Sequence, residues 1–121
     1  QRLILWNKYK SGLENLESDE FIKRPLIPDN TTHNAHTFYL VVNNRKERDS
    51  LITFLAKRGI GAPFHFQSLH QSAYFKNQYK GQELRNADRY TDCLIRLPLY
   101  HGLKQDELEY VVDNVQEFFL N

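Results

Sequence analysis

The apolar stripe in the last segment of the chain constrains the fold more than any other feature. Its members recur at spacings of three and four residues, which is the period of one face of an α-helix. They are Leu108, Val111, Val112, Val115, Phe118 and Phe119. Such a stripe has to dock on another element, and we expect a β-sheet. Asp106 and Glu107 suit the positive end of this helix, whereas Lys104, near the expected cap, does not.

Two segments are typical of strands. Residues 36–42, "HTFYLVV", are rich in aromatic and β-branched residues and are apolar on both faces, which favours a central strand covered on both sides. Residues 60–66 alternate, so Phe64 and Phe66 are predicted to face the core with Ile60 and Ala62, while His65 faces away. The facing-away set also holds Gly61 and Pro63. Pro63 indicates an edge position or a local break in pairing.

The remaining pattern completes an α+β order. Helices are predicted over residues 2–16, 45–58 and 82–94, and a short strand over residues 95–100. Asn44 stands three residues before Glu47, a variant of the capping box, and Gly59 suits the end of the second helix. We therefore predict one domain over residues 1–121, with a small antiparallel or mixed sheet of three to four strands and helices packed mainly on one face.

Composition excludes several classes of protein. The 121 residues include 16 basic and 15 acidic ones, for a net charge of +1, and the basic residues are scattered, which argues against nucleic-acid binding. No apolar run approaches the roughly 20 residues needed to cross a membrane. The one cysteine, Cys93, allows no intrachain disulfide and is typical of a packed thiol in a reducing compartment. The chain contains no methionine, and it begins within a helical pattern, which suggests a piece of a longer protein.

The segment "HFQSLHQSAYF", residues 65–75, is the main candidate for chemistry. His65 and His70 are five apart, and His33 and His36 three apart, so a zinc site is conceivable, although neither pair has helical i, i+4 spacing. Because His65 is predicted to face away from the core, it meets solvent, another domain or a ligand. Three aromatics nearby either stack on a ligand or close over the sheet: Tyr74, Phe75 and Tyr79. No phosphate loop, paired-cysteine zinc motif or nucleophile elbow is present.

Three separated stretches carry a family resemblance: "HNAHTFYLVV", "RDSLITFLAKRGIGAPFHFQSLHQSAYF" and "DRYTDCLIRLPLYHGLKQDELEYVVDNVQEFF". They resemble the C-terminal small domain of the DegT/StrS nucleotide-sugar aminotransferases. Within that group they are most similar to enzymes that aminate dTDP-4-keto-6-deoxy-D-glucose at C4, the dTDP-4-amino-4,6-dideoxygalactose transaminases.

The resemblance implies a piece of a larger enzyme with the small-domain fold of fold type I aminotransferases. Such enzymes use pyridoxal phosphate, take the amino group from glutamate, work in the cytoplasm as homodimers and serve surface polysaccharide synthesis, such as lipopolysaccharide or enterobacterial common antigen. The Schiff-base lysine and most phosphate contacts belong to a large N-terminal domain. By this resemblance, the chain packs on that domain and has no catalytic, cofactor or metal residues of its own. Alone it is expected to be inactive.

The resemblance also implies the substrate-binding residues. His65 and Phe66 match a His-aromatic pair in which Tyr is common, and His70 matches the His of a following Leu-His pair. Ser68 replaces a frequent Pro, which predicts a less rigid loop. Asn34 and His36 are two weaker candidates, expected beside the same boundary with the large domain. Packing between domains is the competing interpretation for each, and a non-catalytic nucleotide-sugar-binding module is the alternative to an enzyme.

Overall fold

Two short antiparallel strands lie at the centre of the computed structural model, which describes residues 1–65 and 67–121. β1 spans Phe38–Val41 and β2 spans Leu94–Leu97, and Leu40 lies opposite Ile95. Both strands end early for local reasons. β1 gives way to the cap of the next helix, and β2 stops before Pro98, which has no N–H to donate.

Single bridges widen this pair on both sides. Lys23 bridges Val41 beyond β1, and Phe64 bridges Ile95 beyond β2, both in antiparallel sense. Four chain segments therefore lie side by side, and the middle two carry the continuous ladder. The predicted antiparallel sheet is confirmed, with its outer members reduced to one bridge each.

Helices supply the rest of the regular structure in the described residues. They are α1 Arg2–Gly12, α2 Glu14–Ser18, α3 Arg45–Ala56, α4 Arg85–Cys93 and α5 Gln105–Leu120. A 3₁₀ turn covers Leu69–Gln71. The predicted α+β class is confirmed, and so are the second and last helices.

The core lies between the sheet and these helices. Phe38 is fully buried, and its ring centroid is 5.1 Å from that of Tyr9 and 5.4 Å from that of Trp6, so α1 covers this face of β1. Members of the α5 stripe are buried as well, including Leu108, Val111 and Val115. The stripe packs chiefly on helices, with Val112 against Gly12 of α1 and Phe118 against Phe54 of α3. The predicted helix and its buried stripe are therefore confirmed, but the expected docking on the β-sheet is wrong.

The first helix is shorter than predicted, because the helical run is interrupted at Leu13, between α1 and α2. Gly12 lies at the closest approach of α1 to α5, where an added Cβ would be 3.2 Å from Cγ1 of Val112. Gln116 of α5 donates to the Gly12 carbonyl at 2.8 Å and exchanges side-chain hydrogen bonds with Asn15 at 2.6 and 2.9 Å. The glycine costs helix propensity but lets the two helices meet.

The predicted ends of α3 and α5 have the expected chemistry. The Asn44 side chain accepts a hydrogen bond from the Glu47 N–H at 2.8 Å, and Gly59 has a φ of 77°, a value that favours glycine. At α5, Glu107 accepts from the Lys104 N–H at 2.9 Å. The lysine side chain has no acceptor atom with which to complete a capping box.

Two strand predictions are wrong in part. Ile60 and Ala62 are buried as expected, but Phe64 is 47% exposed. Its ring centroid lies 5.3 Å from the Arg48 guanidinium, a contact that is favourable for an aromatic ring at the surface. Phe66 lies outside the described residues. The expected covering of β1 on both faces is met at Val41, which is buried, and only in part at Tyr39, which shares that face and is half-buried.

Candidate functional site

A cleft of about 580 Å³ opens between the 3₁₀ turn and α4. We call it the loop cleft, and its lining residues are Ser68, Leu69, His70, Phe75, Gln78, Tyr79, Leu84 and Ala87. Its volume lies within the range of small-molecule sites, and its lining has their usual character, apolar and aromatic with a few polar groups.

His70 is the best-positioned polar group of the loop cleft. Its side chain is 14% exposed, and its Nε2 lies 2.9 Å from Oδ1 of Asp88. Because an ionised carboxylate can only accept, Nε2 carries the hydrogen, and in the neutral ring Nδ1 is left as an acceptor. The Gln71 amide donates to the same oxygen, and the Tyr79 ring lies 5.2 Å from the imidazole. His70 is thus held in one orientation.

Ser68 joins the loop to α4. Its N–H donates to Oγ1 of Thr91 at 3.1 Å, its hydroxyl donates to the Ala87 carbonyl at 2.9 Å, and the Ser68 and Thr91 hydroxyls are themselves in contact. A proline here has neither an N–H nor a hydroxyl. The expectation that Ser68 loosens the loop stays a prediction. These hydrogen bonds oppose it, since they tie the residue that precedes the turn carrying His70 to α4.

The other candidates lie elsewhere. His65 is exposed, between the Phe64 bridge and the 3₁₀ turn, and does not line the loop cleft. Asn34 and His36 are brought together by a local turn in which the Asn34 side chain accepts from the His36 N–H at 3.0 Å. Ala35 between them has a φ of 53°, an uncommon value for a residue with a Cβ.

A second concavity lies at the end of the sheet where β1 begins and β2 ends. We call it the open-face groove. It measures about 240 Å³, and its lining residues are His36, Thr37, Gly61, Pro63, Arg96, Leu97, Pro98 and Leu99. His36 therefore lies beside Gly61 and Pro63 and apart from His70. The sequence reasoning missed Arg96; the signal was a charged residue between Ile95 and Leu97 in an apolar strand.

The described residues hold no cluster of metal-ligating side chains. Among them, no three His, Cys, Asp or Glu side chains gather at metal-binding distance. None of the lysines, all of which are described, is buried, although a Schiff-base lysine needs a desolvated pocket. Cys93 is packed at the end of α4, and burial raises the pKa of its thiol, which disfavours a nucleophilic thiolate.

No helix in the described part of the chain combines the length and the apolar character that a membrane crossing requires. α5, with 16 residues, is the longest of them.

Known proteins resemble this chain in sequence and in fold. Spore coat polysaccharide biosynthesis protein SpsC of Bacillus subtilis (strain 168) is 30% identical over an alignment of 99 residues, and the match covers 77% of this chain and 25% of SpsC. The crystal structure of DesV from S. venezuelae matches 98% of this chain and 31% of its own with 26% identity and a TM-score of 0.86. NtdA of Bacillus subtilis, solved with bound cofactor PMP, matches 99% of this chain and 28% of its own, with 20% identity and a TM-score of 0.84.

The chain spans between a quarter and a third of the length of these relatives. The family model for DegT/DnrJ/EryC1/StrS aminotransferases matches residues 1–116, nearly the whole sequence. From this match, and from the shared fold, it follows that the chain belongs to the DegT/DnrJ/EryC1/StrS aminotransferase family.

Proposed function

We propose that this chain is the C-terminal small domain of a pyridoxal-phosphate-dependent sugar aminotransferase. The intact enzyme transfers an amino group from glutamate to a keto sugar carried on a nucleotide, dTDP-4-keto-6-deoxy-D-glucose. It does so in the cytoplasm, as a homodimer, for surface polysaccharide synthesis. The family membership supports this proposal, and so does the finding that the chain matches only a quarter to a third of the length of each relative.

One observation carries the assignment of the site: the His70–Asp88 pair in the loop cleft. A histidine held at 2.9 Å by a carboxylate presents its other ring nitrogen with a defined role. A sugar hydroxyl or the nucleotide can donate to that nitrogen, and the aromatic lining supplies a surface for a sugar or base. In this proposal His70 binds and orients the substrate, and Asp88 positions His70.

His65, Phe66, Asn34 and His36 complete the substrate wall in this proposal. His65 is exposed, and His36 lines the open-face groove, so both have surface to offer a facing domain. The cofactor is held by the rest of the protein, because this chain has no buried lysine. When bound there, pyridoxal phosphate supplies the carbonyl chemistry of transamination. The 121-residue chain alone is inactive.

The test uses the full-length protein that contains this sequence. Mixed with L-glutamate, it should release 2-oxoglutarate and change the absorbance of its cofactor, and it should then convert dTDP-4-keto-6-deoxy-D-glucose into an amino sugar detected by mass spectrometry. A protein that carries no cofactor and forms no 2-oxoglutarate contradicts the proposal. Binding of dTDP without turnover would instead indicate a non-catalytic binding module.

The site assignment has its own variant and control. His70→Ala should lower kcat/KM for the nucleotide sugar about 10- to 100-fold, the loss expected for one hydrogen bond to a substrate group. It should leave cofactor absorbance unchanged. His101→Ala is the matched control, because His101 is exposed and outside the loop cleft. Equal activity of the two variants would remove His70 from the site.

A further inference from the structure

Arg96 of β2 is unlike the other partly buried arginines. Arg24 lies 2.6 Å from Glu17, Arg48 lies 2.9 Å from Asp49, and Arg58 lies 3.6 Å from Glu117. Among the described residues, no carboxylate pairs with Arg96, and its Nε is buried without a hydrogen-bond partner. Within the described residues, the hydrogen bonds of Arg96 are made by its backbone, and its N–H donates to the Pro63 carbonyl at 2.9 Å.

An unpartnered guanidinium N–H is costly to bury. Arginine cannot lose its proton in a protein, so it cannot escape the cost by becoming neutral. Buried donors are nearly always paired with protein, water or a ligand, and each exception calls for a physical explanation. The Nε of Arg96 is such an exception, and its side chain belongs to the lining of the open-face groove.

The surroundings of the groove favour an anion. No carboxylate is among its described lining residues, and His36 lies in the same lining. Arg2 approaches this edge, with its Nη1 3.4 Å from Nδ1 of His36. Two arginines therefore raise the electrostatic potential on this small area, beside the His36 imidazole.

The size of the groove limits what can enter. Its volume of about 240 Å³ is below the roughly 300–1,000 Å³ of pockets that enclose whole drug-sized ligands. An added Cβ on Gly61 would meet nothing within 4 Å, so the groove is open on that side. It suits one compact charged group at the end of a larger molecule.

We propose that Arg96 binds an oxyanion group of a ligand in the open-face groove, with its planar fork engaging a carboxylate or phosphate. The ligand sources follow from the function proposed above: the carboxylate of the amino donor or the diphosphate of the nucleotide sugar. Arg96 is then a binding residue at this end of the sheet, apart from His70.

The test measures binding to the full-length, cofactor-loaded protein by calorimetry, with L-glutamate, dTDP and inorganic phosphate as separate probes. The variants are Arg96→Gln and Arg96→Lys, and Arg85→Gln is the control because the Arg85 side chain is 86% exposed at the start of α4. We expect Arg96→Gln to weaken one organic probe about 10- to 100-fold, as for loss of a charge-assisted hydrogen bond. Lysine should restore part of the affinity, and Arg85→Gln should change nothing. The affected probe identifies the source of the anion.

The outcomes separate this proposal from the proposed function. If glutamate or dTDP binds wild type and Arg96→Gln equally, the function stands and the anion site is wrong. If inorganic phosphate alone binds, and only when Arg96 is present, the site stands and the function is wrong. If no probe binds the wild-type protein, both are wrong. If Arg96→Gln lowers the melting temperature while all affinities hold, Arg96 pairs with another part of the protein, which also overturns the proposal.

Discussion

The core side of the sheet and the loop cleft are held together by different forces. On the core side, Phe38 and Leu40 are completely buried, so the hydrophobic effect stabilises the packing of that region. In the loop cleft Leu69 is 69% exposed, and Tyr74, which follows the 3₁₀ turn without lining the cleft, is 71% exposed. Hydrogen bonds such as His70–Asp88 hold the loop in place. The core side is buried by residues of this chain, whereas the loop cleft leaves apolar surface exposed for a ligand or a facing domain.

The largest effect should come from truncating a ring in the core. Phe38→Ala removes a side chain that contacts Trp6 and Tyr9 and leaves a cavity, so we expect the free energy of unfolding to fall by about 3–5 kcal/mol. Urea denaturation of the protein measures this loss. Tyr74→Ala is the matched truncation in the loop segment and should stay within about 0.5 kcal/mol. Similar losses for both would erase the contrast between the two regions.

The next largest effect concerns the loop cleft. Asp88→Asn removes the charge that orients His70 and lets the amide reverse the hydrogen-bond direction. We expect kcat/KM of the intact enzyme to fall about tenfold while the free energy of unfolding changes by less than about 1 kcal/mol. Asp92→Asn, on the same helix but outside the cleft lining, is the control. Loss of stability without loss of kcat/KM would indicate that the pair is only structural.

A smaller effect should come from Tyr9, whose hydroxyl donates to the Pro98 carbonyl at 2.6 Å. Tyr9→Phe leaves that carbonyl without its donor and should cost about 1 kcal/mol at pH 7. An unchanged urea midpoint would show that this hydrogen bond contributes nothing net to the core side.

The same residue predicts a pH dependence. Burial raises the pKa of Tyr9 well above its usual value. Above pH 10 the unfolded chain therefore loses this proton while the folded chain keeps it, so stability is full below about pH 10 and falls as the pH rises beyond it. Wild type should lose up to about 1.4 kcal/mol per pH unit more than Tyr9→Phe between pH 10 and 11. If urea denaturation shows that the two proteins lose stability equally as the pH rises, the raised pKa of Tyr9 is contradicted.

The smallest expected effect tests the loop itself. Ser68 has a φ of −62°, which proline can adopt. Ser68→Pro should raise the free energy of unfolding by restricting the unfolded chain and lower it by removing the hydrogen bonds to Thr91 and Ala87. We expect the net change in the free energy of unfolding to stay within about 1 kcal/mol. A loss above 2 kcal/mol in urea denaturation would show that the hydrogen bonds outweigh the backbone restriction.

The sequence predicts those parts of the fold that depend on neighbouring residues. The α5 stripe and the Asn44 cap are local patterns, and both have the predicted form. The alternation at residues 60–66 fails at Phe64, which is exposed and whose ring lies against Arg48 of α3. No period within residues 60–66 contains that information.

The same limit applies to the candidate site. His70 is recognisable as a candidate from its motif, but its partner Asp88 is 18 residues away on another element. Arg96 and His36 share the open-face groove only because the sheet brings them together. Residue types are visible in the sequence, whereas their pairing depends on how the segments pack.

The close approach of Gly12 to Val112 has a consequence for synthesis of the protein. α1 covers β1, but it meets α5 only when the last helix exists, and about one hundred residues separate the two partners in the Asn15–Gln116 exchange. While the ribosome is still translating the middle of the chain, Trp6 and Tyr9 have no finished core to enter. Folding of this region therefore waits for the last helix to emerge, and a ribosome stalled before Gln105 would hold a chain whose first helix remains open to chaperones and proteases.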